Sequence, residues 1–142
     1  MIKDIRHTGI VVDDLEVSLA FYCGLLGLVV ARRMEESGFF LDTLLALQNA
    51  QVTTVKMTTP GGQLIELLSF HSHPPNQKTQ TLVGRGPTHI AFTVDDLDQE
   101  YQRLKETGIS FTSPPQVSPD GFAKVAFCQA PEGTFIELVE EL

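Results

Sequence analysis

Apolar and polar residues alternate with the two-residue period of a strand over residues 5–12. Ile5, His7, Gly9 and Val11 fall on one face, and Arg6, Thr8, Ile10 and Val12 on the other. The second face ends in β-branched apolar residues suited to packing on a helix, while the first is smaller and carries a histidine. The period then changes. Asp13 or Asp14 can cap a helix, Glu16 stands at the capping-box distance from Asp13, and Leu15, Leu19, Tyr22 and Leu26 form a helical stripe that Gly27 ends. A strand is predicted over 28–34, running into the polar stretch 32–37. Residues 39–48 fit either a strand edge or a short helical excursion. Strands follow over 52–57 and 64–70, separated by a Pro60-Gly61-Gly62 turn. Residues 71–87 are polar and broken by Pro74, Pro75 and Pro87; they read as a linker with one short helical turn near 79–83.

The opening pattern then returns. Over 88–94, His89, Ala91 and Thr93 share one face and Ile90, Phe92 and Val94 the other. A helix with Leu97, Tyr101 and Leu104 stops at Gly108, and strands are predicted over 109–112, 122–128 and 134–139. His89 follows His7 by 82 positions, and Val-Asp-Asp-Leu recurs at the same offset. Pro60-Gly61-Gly62-Gln63-Leu64-Ile65-Glu66-Leu67 is echoed by Pro131-Glu132-Gly133-Thr134-Phe135-Ile136-Glu137-Leu138, 71 positions on. The first copy is therefore longer between histidine and glutamate, with the excess falling around 33–51. Each copy reads strand, helix, three strands. The expected organisation is one α+β domain over 1–142: a first module over about 1–70, a linker over about 71–87 and a second module over about 88–142. A copy of this size cannot bury enough core alone, so the two are expected to pair.

A carboxylate among Leu, Ile, Phe and Val is costly unless a cation or hydrogen-bond donors compensate it. The same acid at the same point of two copies points to a shared cation. Under a pseudo-twofold, His7, Glu66, His89 and Glu137 converge on one point. Two imidazoles and two carboxylates suit one divalent metal such as Ni, Co, Mn, Zn or Fe, and leave positions open for substrate oxygens if the ion is octahedral. The formal net charge of −8, without a basic cluster, speaks against nucleic acid as a partner. No apolar run is of membrane-spanning length, and the N-terminus lacks a secretory apolar segment, so no membrane association and a cytoplasmic location are expected. Cys23 and Cys128 read as small core-filling residues rather than a disulfide framework.

The stretches His7-Thr8-Gly9-Ile10-Val11-Val12-Asp13-Asp14-Leu15, Phe21-Tyr22 and Leu26-Gly27-Leu28 resemble the opening of the vicinal oxygen chelate superfamily. So do residues 89–97 and the Pro131-to-Leu138 segment. The resemblance implies tandem βαβββ modules forming a curved mixed sheet around a metal site, helices outside, in a homodimer. It covers glyoxalase I, methylmalonyl-CoA epimerase, extradiol dioxygenases, fosfomycin-resistance enzymes and metal-free bleomycin-binding proteins. The order His, Glu, His, Glu is similar to bacterial glyoxalase I. The CoA epimerases usually have Gln where this chain has Glu66, and the dioxygenases need only His7, His89 and Glu137. The expected function is a metal-dependent isomerase, epimerase or glyoxalase I-like lyase on a small oxygenated substrate, moving a proton next to a carbonyl through a metal-bound enediolate or enolate. Glu66 and Glu137 are expected to serve as both ligands and acid–base groups. The alternatives are an iron-dependent extradiol-type dioxygenase and a non-enzymatic, drug-resistance type binding protein. Glutathione-using glyoxalases typically carry Arg where this chain has Val11, which argues against a glutathione adduct.

Overall fold

The two sequence copies build two four-stranded mixed sheets. The computed structural model describes residues 1–76 and 80–142 and divides into two compact units, Met1–Gln77 and Lys78–Leu142. The first unit contains β1 (Thr8–Val11), α1 (Leu15–Leu19), β2 (Val29–Ser37), α2 (Phe39–Leu45), β3 (Gln51–Thr58) and β4 (Leu64–Phe70). Its strand order is β1-β4-β3-β2, with β1 parallel to β4 and the other pairs antiparallel. The second unit contains β5 (His89–Thr93), α3 (Leu97–Glu106), β6 (Gln116–Val117), β7 (Ala123–Gln129) and β8 (Phe135–Glu141). Its order, β5-β8-β7-β6, is the same with one helix fewer. The fold is α+β, and α2 occupies the stretch where the first copy is longer.

Alternation along the strands gives each sheet a helix side, packed on α1 or α3, and an opposite open side, which in the first unit α2 covers around Val52, Leu68 and Phe70. In the first unit Ile10, Val12, Val55, Met57, Ile65 and Leu67 are buried. The Cys23 thiol reaches the Met57 sulfur at 3.5 Å, tying the helix to this side. In the second unit Ala126, Cys128, Ile136 and Leu138 are buried, as are Leu97 and Leu104 of α3. Burial of each such side chain stabilises by roughly 1.5–3 kcal/mol, which holds the opposite faces of the strands in place. Glu140 of β8 accepts from the Leu97 amide at 2.8 Å and from Lys124 at 3.1 Å, so the start of α3 is fastened to the sheet.

Several boundaries differ from the sequence reading. β1 begins at Thr8, not at 5, because its register places Thr8 beside Ile65 and leaves residues 5 and 6 beyond the start of β4. The helix after Asp14 passes into a π-helical segment, Ala20–Leu25, before Gly27 at φ 78°. β2 continues through the polar stretch to Ser37. It is an edge strand, and Glu35 and Glu36 accept hydrogen bonds from Thr53 and Thr54 of β3. The ambiguous stretch contains the helix α2, whose Leu41 packs with Ala50 and Val52. The strand predicted over 109–112 is a single bridge from Phe111 to Cys128, and the edge strand is β6, beyond Pro114 and Pro115. Of the short helical turn expected near 79–83, Thr79 lies outside the described residues; the Gly84 amide donates to the Thr81 carbonyl there. No helix among the described residues is long and apolar enough to cross a membrane.

Candidate metal and acid–base site

On the open side of the first sheet, Glu66 lies mid-strand in β4, with Gly9 of β1 on one side and Lys56 of β3 on the other. His7, two residues before Gly9, shares that side. Its Nε2 stands 3.1 Å from Glu66 Oε2, while Lys56 Nζ lies 3.8 Å from Oε1. Glu66 is 12 % exposed and His7 33 %. Gly9 leaves the flank of the carboxylate uncovered, and a Cβ there would come within 3.3 Å of Leu68 Cδ1.

The second sheet repeats the arrangement. Glu137 of β8 lies between Ala91 of β5 and Phe127 of β7. His89 Nε2 is 3.2 Å from Glu137 Oε2, with exposures of 39 % and 21 %. The His89 ring is held at its other nitrogen by Thr88 Oγ1, 2.8 Å away, and stacks edge-on against Phe127 at 5.3 Å. A small residue flanks both carboxylates. The far neighbour differs: a lysine in one unit and a phenylalanine in the other.

The four expected ligands thus meet two by two. Within neither unit, among the described residues, do three or more His, Cys, Asp or Glu side chains gather around one point. The spacing within each pair suits two neighbouring donors on one octahedral divalent ion, whose bonds of about 2.0–2.2 Å at right angles set them about 3 Å apart.

Other candidate groups have separate tasks. His71 Nε2 lies 2.6 Å from Thr53 Oγ1, and His73 Nδ1 lies 2.8 Å from Ser72 Oγ. Lys124 bridges Asp98 and Glu140 at 2.9 and 3.1 Å, and those hydrogen bonds hold its pKa above the ordinary lysine value. Burial pushes the Cys128 thiol up to about 11. Lys56 was missed in the sequence. The signal was present, since positions 56 and 66 lie symmetrically about the Pro60-Gly61-Gly62 turn and must therefore face each other in a hairpin.

The sequence pattern of the Glyoxalase/Bleomycin resistance protein/Dioxygenase superfamily matches residues 4–138. The chain belongs to this superfamily. Among relatives within it, the uncharacterized protein YwkD of Bacillus subtilis is 33 % identical, over 99 % of both chains. A lactoylglutathione lyase of Pseudomonas aeruginosa is 31 % identical, over 95 % of this chain and 81 % of that one. Among solved structures, a glyoxalase family protein from Bacillus cereus superposes with a TM-score of 0.90 at 26 % identity, covering 100 % of this chain and 96 % of the other. The superfamily's βαβββ architecture is therefore shared along the whole length, and the His–Glu pairs lie inside the matched region.

Proposed function

We propose that this chain is a divalent-metal-dependent enzyme that moves a proton on the carbon next to a carbonyl, as an isomerase, an epimerase or a glyoxalase I-type lyase. The observation that carries this reading is the recurrence of one His–Glu pair at the same strand positions of both units. His7, Glu66, His89 and Glu137 would together hold one ion, with Ni, Co, Mn, Zn or Fe all compatible with the donors. Such an ion supplies Lewis-acid stabilisation of negative charge developing on substrate oxygen.

The remaining chemistry belongs to the side chains. His7 and His89 hold the two carboxylates in place at about 3 Å. Glu66 and Glu137 each lie beside a small residue, Gly9 and Ala91, which leaves room for a substrate carbon to approach. One carboxylate accepts the proton and one returns it. Return to the same carbon from the opposite face epimerises; return to the neighbouring carbon isomerises. The lactoylglutathione lyase relative supports the second outcome, while Val11 in place of an arginine speaks against a glutathione adduct as the substrate. A ring-cleaving dioxygenase has no use for Glu66, and a binding protein has none for either pair.

The test is solvent-deuterium exchange into 2-oxo aldehyde hemithioacetals, CoA thioesters and keto-sugars by metal-loaded protein. One class should exchange. Glu66→Gln and Glu137→Gln should each slow exchange by roughly 10²–10⁴-fold while retaining some metal. Full turnover in both variants removes the acid–base role, and oxygen uptake with catechols replaces the reading with the dioxygenase.

A further inference from the structure

We propose that Arg32 and Lys56 form an anion-gripping strip beside the His7–Glu66 pair, and that the substrate carries a carboxylate or phosphate that docks there. The inference deepens the function proposed above and rests on His7 and Glu66 belonging to the chemical centre. Arg32 of β2 lies directly opposite Lys56 of β3, which lies directly opposite Glu66 of β4. Directly opposed residues share a face, with Cβ atoms about 4.5–5.5 Å apart. The three side chains therefore make one row across three strands.

A β-bulge places Arg32 in that row. The register passes from Val30 beside Met57 to Arg32 beside Lys56, leaving Ala31 unpaired. Without the extra residue, Arg32 would face Val55 on the helix side. Arg33 occupies that helix-side position instead, and its guanidinium donates to Glu16 at 2.9 Å. Bulges that re-aim a side chain are concentrated beside active sites.

The two cations are not spent on the fold. Among the described residues, the Arg32 guanidinium has no ion-pair or hydrogen-bond partner. Lys56 has only the 3.8 Å approach to Glu66, longer than a charge-assisted hydrogen bond of about 2.7–2.9 Å. Glu36, farther along the same face of β2, accepts from Thr54. Nor does a carboxylate at this point of the sheet require a lysine, because Glu137 has Phe127 in the equivalent place. Like charges set directly opposite one another in a sheet destabilise it. A pair of this kind, offset within the sheet by Glu66 at 3.8 Å from Lys56, is suited to an anion from outside in a chain of net charge −8. Arginine offers that anion a planar fork and lysine a point charge.

The test uses the full chain, metal-free and metal-loaded, titrated by calorimetry and amide NMR. The probes are pyruvate, inorganic phosphate and uncharged hydroxyacetone. Pyruvate or phosphate should bind metal-free protein with shifts centred on residues 31–33 and 55–57, and the tighter of the two identifies the anion. Arg32→Gln and Lys56→Gln should each weaken that binding by about tenfold or more and leave hydroxyacetone unchanged. Arg32→Lys should recover part of the loss. Arg32→Gln should melt no lower than the parent. Anion affinities within about twofold across all variants overturn the strip, as does a clear loss of melting temperature in Arg32→Gln. If the chain takes up no divalent metal but Arg32-dependent anion binding persists, the proposed chemistry fails and the strip stands. If metal and proton exchange are present without anion preference, the strip alone fails.

Discussion

Single side chains in this molecule are legible in proportion to how far their meaning is local. His7, Glu66, His89 and Glu137 could be picked out because the two glutamates recur between Ile and Leu and the two histidines recur at one distance before Val-Asp-Asp-Leu. Arg32 could not, because its direction depends on one unpaired residue in β2 that no alternation pattern reveals. Cys128 reads as core filling, and it is buried on the helix side of β7. Its burial has a consequence for pH. Desolvation raises the thiol from 9.0 to about 11 in the folded chain. Between those values the unfolded chain loses the proton and the folded chain keeps it, so stability falls as pH rises. The loss at the top of that window is up to roughly 3 kcal/mol. The melting temperature should therefore drop between pH 9 and pH 11, and Cys128→Ala, although less stable overall, should show a shallower drop. Lys124 adds its own alkaline loss, but only above the ordinary lysine value of 10.5, since its raised pKa delays the change. A decline beginning near pH 9 in Cys128→Ala equal to that of the parent would assign the effect elsewhere.

At the scale of elements, the type of each strongly periodic segment followed from the sequence, and the ends followed from pairing and capping. The predicted capping box joined Asp13 to Glu16. In the structure Asp14 is the cap: its backbone is extended, at φ −113° and ψ 104°, and its carboxylate accepts from the amides of Glu16 and Val17. Glu16 turns outward to Arg33 instead. Asp96, the corresponding residue of the second copy, caps α3 in the same conformation and accepts from Gln99. Both acids of each Asp-Asp pair have capping chemistry, so composition alone does not choose between them; the extended backbone at the second does. Asp14→Ala and Asp96→Ala should each cost about 1 kcal/mol in denaturant unfolding, while Asp13→Ala should stay within about 0.5 kcal/mol. Equal losses at Asp13 and Asp14 would show that the cap alternates between them. The missed edge strand has a similar origin. Residues 109–112 look apolar enough to pair, yet only Phe111 bridges to Cys128, and its ring is engaged edge-on with Tyr101 at 4.7 Å.

For the molecule as a whole, the proposed chemistry rests on the repetition of two His–carboxylate contacts. One pair supplies two donors, fewer than the three or four protein ligands a tightly held ion of the zinc type takes. If the pairs were independent, each would be weak, although both units keep the same geometry at 3.1 and 3.2 Å. A single ion served by both pairs has a distinct signature. The chain should take up one equivalent of Ni²⁺ or Co²⁺, and His7→Ala and His89→Ala should each weaken uptake on the order of a hundredfold. The double variant should lose less than the product of the two, because removal of either histidine already breaks the common site. Mixing the two single variants separates a site within one chain from one shared by two copies. In a shared arrangement, mixed dimers regain one intact ligand set and recover tight uptake; in the other they do not. Independent pairs would instead bind two equivalents per chain, and each variant would abolish one while leaving the other unchanged. That result, measured by equilibrium dialysis, would reduce the repeat to two coincident hydrogen bonds and end the case for a common metal.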